Sequence, residues 1–122
     1  MEYEIHLGIP DVLNFWNSLS QKKKNGTITK DEEEIRKKFG NALSHLSFDP
    51  FYPGLESHEI SQLTNRYGMK VFQSYLENHK PRAMRIYWVY GPGRAQITII
   101  GIEPHPEDKK NGAYDKIKLS SI

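Results

Sequence analysis

The alternation of apolar and polar positions predicts that the chain opens with a strand and continues as a helix. Residues 3–7 alternate apolar with polar side chains, which is the period of a half-buried strand. Pro10 suits the first turn of a helix, because its missing N–H needs no partner there. Apolar positions then continue on one helical face as far as Leu19, and Asn25-Gly26 is the expected end.

A second helix has the clearest pattern in the chain. Thr29 and Glu32 have the spacing of a capping box, and apolar residues from Ile35 to Leu46 form one stripe. Asp49-Pro50 ends the helix, and the short connection before it predicts an antiparallel helix pair. The acidic run at its start predicts a solvated face with three i,i+4 ion pairs, namely Glu32–Arg36, Glu33–Lys37 and Glu34–Lys38.

The second half of the chain has the composition of strands. Residues 50–66 are predicted to be a loop, and residues 68–77 a strand. Residues 82–90 and 96–103 are aromatic and β-branched, are joined by Gly91-Pro92-Gly93, and predict two central strands. Helices that precede a group of antiparallel strands predict one α+β domain over residues 1–122. The helix pair is expected on one face of a small antiparallel sheet, and the other face is expected to be partly open.

Composition narrows the functional classes. The chain has 122 residues, 37% of them apolar and 26% charged, which is typical of one soluble globular domain. It has no cysteine, which excludes disulfides and thiolate metal sites and is compatible with the cytoplasm. No apolar run approaches the ~20 residues of a membrane span, and no secretory signal is expected.

The charge is distributed unevenly. The net charge is +2, but residues 1–62 carry seven Lys and Arg against ten Asp and Glu, whereas residues 63–122 carry ten against five. The halves therefore differ, at −3 and +5. A basic half suggests an anionic partner, and the alternative is a solvated basic edge.

Arg85 is the first candidate for chemistry. It alternates with Met84 and Ile86 within an apolar strand, so it projects to the opposite sheet face from those two. An arginine on a concave face could clamp a phosphate and stabilise the charge that develops during phosphoryl transfer. The alternative is a structural arginine paired with Glu59 or Glu103.

Other polar residues follow the second central strand. His105 lies between two prolines, and an imidazole with a pKa of about 6.5 can exchange protons near neutral pH. The phenol of Tyr114 could donate a hydrogen bond or stack on a base, although packing is the alternative role. Further cations that could contact phosphate oxygens are Lys80, Arg82, Lys109 and Lys110.

Several familiar motifs are absent. His58, Glu59 and His105 do not have the spacing of metal ligands, so no metal site is predicted. Gly91-Pro92-Gly93 predicts a hairpin turn and not a phosphate-binding loop, and no Gly-x-Ser-x-Gly elbow occurs.

The order of elements and several short motifs resemble the RelE/ParE superfamily of bacterial toxin–antitoxin toxins. The link between the helices and the sheet is similar to the family's proline- and leucine-containing link, and the first central strand is similar to its arginine-containing strand. The second central strand is followed by a basic residue and a tyrosine, as in the family. The matching stretches are residues 46–50, 53–60, 85–90 and 97–102, with His105 and Tyr114.

This resemblance implies a metal-independent endoribonuclease, an mRNA interferase that cuts mRNA in the ribosomal decoding site, requires no cofactor and binds a cognate antitoxin. In such a reaction the ribose 2′-OH attacks the adjacent phosphate and leaves a 2′,3′-cyclic phosphate. Carried over by position, Arg85 would stabilise the phosphate with help from Arg82 and Lys80, and His105 would be the base or the acid. Tyr114 would orient or stack on the substrate, and His58 or Glu59 would be the second acid–base partner.

Two alternatives accompany this expectation. Members of the same superfamily inhibit DNA gyrase without cutting RNA, and others carry no nuclease residues. The chain would then be a non-nuclease toxin, or a RelE-like binding or regulatory module. Possession of both Arg85 and His105 favours the nuclease.

Overall fold

A computed structural model describes residues 2–78, 80, 82–104 and 113–122. The described residues contain three α-helices, five strands and two short 3-10 turns, Pro53–Leu55 and Ala113–Lys116. The α+β class expected from the sequence is confirmed. The elements are β1 (Glu4–Leu7), α1 (Asp11–Asn25), α2 (Lys30–Phe48), β2 (His58–Glu59), α3 (Ser61–Tyr67), β3 (Phe72–Tyr75), β4 (Met84–Tyr90) and β5 (Gln96–Pro104).

All five strands belong to one sheet, in the order β1-β5-β4-β3-β2. β1 pairs with β5 in parallel, and the other neighbours pair antiparallel. The sheet is therefore mixed, whereas an antiparallel sheet was expected. The helix pair between β1 and the later strands is a crossover long enough for a parallel pairing, and the apolar pattern of β1 alone cannot show which neighbour it will have.

Local capping signals determine both ends of α2. The Thr29 side chain accepts a hydrogen bond from the Glu32 backbone N–H, and the Glu32 carboxylate accepts one from the Thr29 N–H. The predicted capping box is thus confirmed, and the helix ends before Asp49 as expected. Gly26 likewise follows α1 in the left-handed conformation that glycine adopts most readily.

The ion pairs of α2 differ from those expected. Glu34 pairs with Lys38 at 3.0 Å within the helix, as predicted. Glu32 and Glu33 instead bind Lys22 and Lys23, which lie in the last turn of α1. The antiparallel arrangement brings the basic end of one helix beside the acidic start of the other, and this proximity outweighs the pairing within α2.

The helix pair covers one face of the sheet with an apolar core, here called the main core. Phe39 of α2 contacts Phe15 and Trp16 of α1 ring to ring. Trp88 is fully buried, and its indole N–H donates to the Ser74 hydroxyl at 2.8 Å. Buried apolar members of the main core include Val12, Phe39, Ala42, Leu46, Leu55, Ile86, Trp88, Ile97 and Ile99.

The opposite face of the sheet, here called the far face, carries a second core. Its cover is α3 together with residues 117–120, and the Ser120 N–H bonds to the Ile100 carbonyl. Gly101 permits this close approach, because an added Cβ would lie 3.2 Å from the Lys118 carbonyl oxygen. The far face is thus more covered than the sequence suggested, and α3 lies in the stretch predicted as a loop. The buried members are Ile60, Leu63, Val71, Tyr87, Val89, Ile100 and Ile117.

Among the described residues, none of the helices has the length and apolarity that a membrane crossing requires.

Candidate functional site

Three polar side chains lie side by side on the far face. Tyr75 of β3 is the register partner of Arg85 in β4, and Arg85 is the partner of Glu103 in β5. Directly opposed residues project from the same face of a sheet. Ile86 and Tyr87, the next residues of β4, pack into the main and second cores respectively, which places Arg85 on the far face as predicted. We call Tyr75, Arg85 and Glu103 the cross-strand row.

The Arg85 guanidinium is held largely by the backbone. Its Nη1 donates to the carbonyl oxygens of Glu77 at 2.5 Å and Met84 at 3.2 Å, and its carbon lies 3.6 Å from the centre of the Tyr75 ring. The residue is 6% exposed. Its structural contacts are therefore carbonyls and an aromatic face, in place of the Glu59 or Glu103 carboxylate that the sequence suggested.

Three buried polar atoms near the row have no hydrogen-bond partner. They are Gln73 Oε1, Arg85 Nε and the Tyr87 hydroxyl. Gln73 is the register partner of Tyr87, two positions from Arg85 along the sheet. A buried polar atom without a partner costs about 1–3 kcal/mol, so three neighbours are an unusual concentration. The other such atoms in the described part of the chain, in His6 and Arg36, lie on β1 and α2.

Tyr114 joins this group from the C-terminal 3-10 turn. Arg66 of α3 donates to the carbonyl oxygens of Tyr114 at 3.0 Å and Asp115 at 3.2 Å, which fixes the turn against α3. Burial raises the pKa of the Tyr114 phenol, and the nearby charge of Arg85 partly offsets that rise. Burial, with smaller contributions from Tyr114 and Glu103, also raises the pKa of Tyr87. Both phenols therefore remain protonated hydrogen-bond donors at neutral pH.

Glu77 organises the turn in front of β4. Its almost fully buried carboxylate accepts from the Met84 N–H at 3.1 Å, from Lys38 Nζ at 3.1 Å and from Lys80 Nζ at 2.7 Å. Burial alone would raise the pKa of Glu77, but the hydrogen bonds from Lys80, Met84 and Lys38 outweigh burial and lower it. Sequence reasoning missed this residue, although it is the lone acid of the 68–77 segment.

Two of the cations predicted to bind substrate are described. Lys80 is half exposed and has Glu77 as its ionic partner. Arg82 is exposed and adopts a φ of 53° in the turn, a conformation that non-glycine residues rarely take. Both lie at the entrance of β4, as expected, and Lys80 also contributes to holding the turn.

His58 and Glu59 project from opposite faces of the sheet. His58 is opposite Gln73, whose other partner is Tyr87, so it projects on the side of the cross-strand row. Its Nδ1 lies 2.9 Å from the Glu56 carbonyl oxygen. A carbonyl only accepts, so Nδ1 carries the proton and the neutral ring has its lone pair at Nε2.

Glu59 has a different environment. It is opposite Phe72, which packs against the main core, and its carboxylate accepts from the Thr64 hydroxyl at 2.8 Å. The structure therefore does not bring Glu59 to Arg85. His105, Lys109 and Lys110 lie outside the described residues.

The described residues contain no group of three His, Cys, Asp or Glu side chains that could hold a metal ion. No protein-family model, curated protein or solved structure matches the chain. The far face itself offers several polar groups that could act in chemistry. Arg85 Nε, Tyr87 and Tyr114 supply donors, Gln73 Oε1 supplies an acceptor, and His58 supplies a titratable ring.

Proposed function

We propose that this chain is the toxin component of a toxin–antitoxin system and a metal-independent endoribonuclease that cleaves mRNA on the ribosome in the cytoplasm. A cognate antitoxin protein would be its inhibitory partner. The observation that carries the proposal is the group of unpartnered, buried polar atoms at Arg85, Tyr87 and Gln73, with Tyr114 beside them. The order of elements, a strand and a helix pair before the main strands of the sheet, is compatible with the RelE/ParE-like fold that the sequence resembles.

The hydrogen-bond donors of the far face are of the kind that bind the phosphate of a phosphodiester. Attack of the ribose 2′-OH on the adjacent phosphate concentrates negative charge on the non-bridging oxygens. Arg85 Nε and the Tyr87 hydroxyl are enclosed beneath the cover of the far face, so a phosphate would reach them only if that cover moved, and hydrogen bonds to developing charge are strongest in such a desolvated setting. The hydroxyl of Tyr114, a partly buried residue, is the third donor. The raised pKa of each phenol keeps its proton in place through the reaction.

Two proton transfers complete the step. A base takes the proton of the 2′-OH as the 2′-oxygen bonds to phosphorus, and an acid protonates the 5′-oxygen as the P–O5′ bond breaks. His58 has a lone pair at Nε2 and is the described candidate for base, and His105 is the candidate for the other role. Each such contact is worth roughly 10²–10⁴ in rate.

The test is induced expression in a bacterial host, read by growth and by primer extension on translated mRNA. Wild type is expected to arrest growth and to cut transcripts. His58→Ala and His105→Ala are expected to lose cleavage at least 100-fold while melting at the wild-type temperature. Arg85→Lys is preferred to Arg85→Ala, because alanine would remove the side-chain donor to the Glu77 carbonyl, whereas the Met84 carbonyl also accepts from the Leu76 and Glu77 N–H groups. Arg94→Ala, an exposed arginine in the β4–β5 turn, is the matched control and should cleave normally.

The burial of Arg85 favours a second candidate. A guanidinium committed to two carbonyls and an aromatic ring can be purely structural. The chain would then be a non-nuclease toxin that inhibits DNA gyrase, or a binding module of the same fold. Growth arrest with supercoiling defects and intact transcripts would support gyrase inhibition. Unaffected growth would support the binding module, and either result would refute the nuclease.

A further inference from the structure

Exposed aromatic side chains gather where α2 ends, away from the far face. Phe51 is 51% exposed, and its ring packs edge-on against Phe72 and Trp88. Tyr90, at the end of β4, packs against the same two rings and against Tyr3 at 5.8 Å. We call Tyr3, Phe51 and Tyr90 the aromatic patch. Trp88 and Phe72 support it from beneath, so these exposed rings are held in place.

Phe48 extends the apolar surface at this end of the molecule. It is the last residue of α2 and is 68% exposed, the largest exposure among the large apolar side chains described. Tyr3 is joined to the same turn, because its N–H and carbonyl both bond to Ser47. Apolar rings that remain exposed in a cluster and pack on rings beneath them are typical of a protein-binding surface.

The charge around the patch is negative. Residues 1–21 and 39–65, which supply Tyr3, Phe48 and Phe51, contain no Lys or Arg. The same segments contain the acidic residues Glu2, Glu4 and Asp49. Burial first, and then the neighbouring Tyr3 and Asp49, raise the pKa of Tyr90, so Asp49 acts on the patch electrostatically. One cation is close, because Arg94 precedes Ala95, whose carbonyl accepts from the Glu4 N–H, so three carboxylates outnumber one guanidinium around the patch.

We propose that the aromatic patch docks a segment of another protein that carries apolar side chains flanked by Lys and Arg. Apolar anchors would pack on rings already held by Trp88 and Phe72, and the basic flanks would meet Asp49 and the N-terminal glutamates. Single-stranded RNA could stack on the same rings, but its phosphates would face carboxylates and not cations. This inference does not depend on the nuclease proposal.

A random peptide library displayed on phage tests the chemistry directly. The immobilised chain is expected to select peptides rich in Leu, Phe or Trp with a positive net charge. Their affinity should fall at least tenfold for the double variant Phe51→Ser/Tyr90→Ser and several-fold for Asp49→Asn, which keeps the acceptor for the Phe51 N–H. Ile122→Ser removes a side chain of similar exposure, 46%, and should bind like wild type.

Several results of these experiments would contradict the proposal. Selected peptides that are acidic, or that bind the double variant as tightly as wild type, would overturn the proposal. Competition of the peptides by poly(U) RNA would assign the patch to nucleic acid. Concentration-dependent dimerisation that the double variant abolishes would assign it to a second copy of the chain. Thermal melting of each variant shows whether weaker binding comes from the changed surface or from unfolding. Asp49→Asn tests the contribution of charge without removing an aromatic ring.

Discussion

The two faces of the sheet are filled in different ways. Beneath the helix pair a buried polar group of the sheet has its partner, since the Trp88 indole N–H donates to the Ser74 hydroxyl. On the far face Gln73, Arg85 and Tyr87 are buried with a polar atom unpaired. An apolar replacement of similar shape would remove that cost at Tyr87, whereas at Arg85 it would also remove the donor to the Glu77 carbonyl. Both faces contribute an apolar core to the fold, and the far face also holds the candidate site.

The largest expected effect is in the main core. Phe39→Ala removes a fully buried ring that contacts Phe15 and Trp16, and the free energy of unfolding should fall by about 3–5 kcal/mol. Chemical denaturation measures the change. Phe48→Ala, on the same helix but largely exposed, should change stability by less than about 0.5 kcal/mol. Equal losses would show that the helix pair is not anchored through the main core.

A smaller effect is expected where the far face meets the turn before β4. Glu77→Gln removes the charge that binds Lys38 and Lys80, and should cost about 2 kcal/mol at pH 7. The pKa of Glu77 is lowered on folding, so its charge contributes stability above the ordinary value of 4.5, and that stability is lost as pH falls through the folded-state pKa. Denaturation from pH 7 to pH 3 should therefore show wild type and variant converging. A constant difference would mean that the charge of Glu77 is not responsible.

A still smaller change in stability is expected from removing a tyrosine hydroxyl. Its sign should depend on whether that hydroxyl has a hydrogen-bond partner. Tyr87→Phe removes a hydroxyl that has no partner, so stability should rise by about 1 kcal/mol while RNA cleavage falls. Tyr67→Phe is the matched control, because its hydroxyl donates to the Ser120 carbonyl at 2.7 Å and its loss should cost about 1 kcal/mol. Thermal denaturation and primer extension measure the two properties. A less stable but active Tyr87→Phe would show that the hydroxyl serves the fold.

The parts of the fold that depend on neighbouring residues in the chain were predictable. The capping box at Thr29 and the glycine after α1 were recognised because their hydrogen bonds close within a few residues. The parallel pairing of β1 with β5 joins residues about ninety positions apart, and no local pattern encodes it. α3 has only seven residues between a two-residue strand and Gly68, too short for a periodic signal.

The candidate site was predictable only in part. Alternation along β4 placed Arg85 on the correct face, because a period of two is a local property. Its carbonyl acceptors and the missing partners of Tyr87 and Gln73 depend on how three strands and a turn come together. Glu77 looked like an ordinary charged residue in the sequence, since nothing local reveals that its carboxylate is buried. The position of the candidate site could thus be predicted from the strand pattern, but the hydrogen-bond partners of its atoms could not.

The smallest effect on stability should come from the partly exposed ion pairs between α1 and α2, in contrast with the almost fully buried Glu77. The hydrogen bond from Lys22, then that from the Thr29 N–H, lower the pKa of Glu32 to about 2. Lys22→Gln should raise that pKa toward the ordinary value of 4.5, as carboxyl carbon NMR titration would show. The melting temperature should hardly change, because solvent screens exposed pairs and side-chain ordering offsets their attraction. Lys24→Gln in the same turn is the control and should leave the titration of Glu32 unchanged. A large loss of stability from Lys22→Gln would show that the helix pair depends on surface charge as much as on its apolar interior.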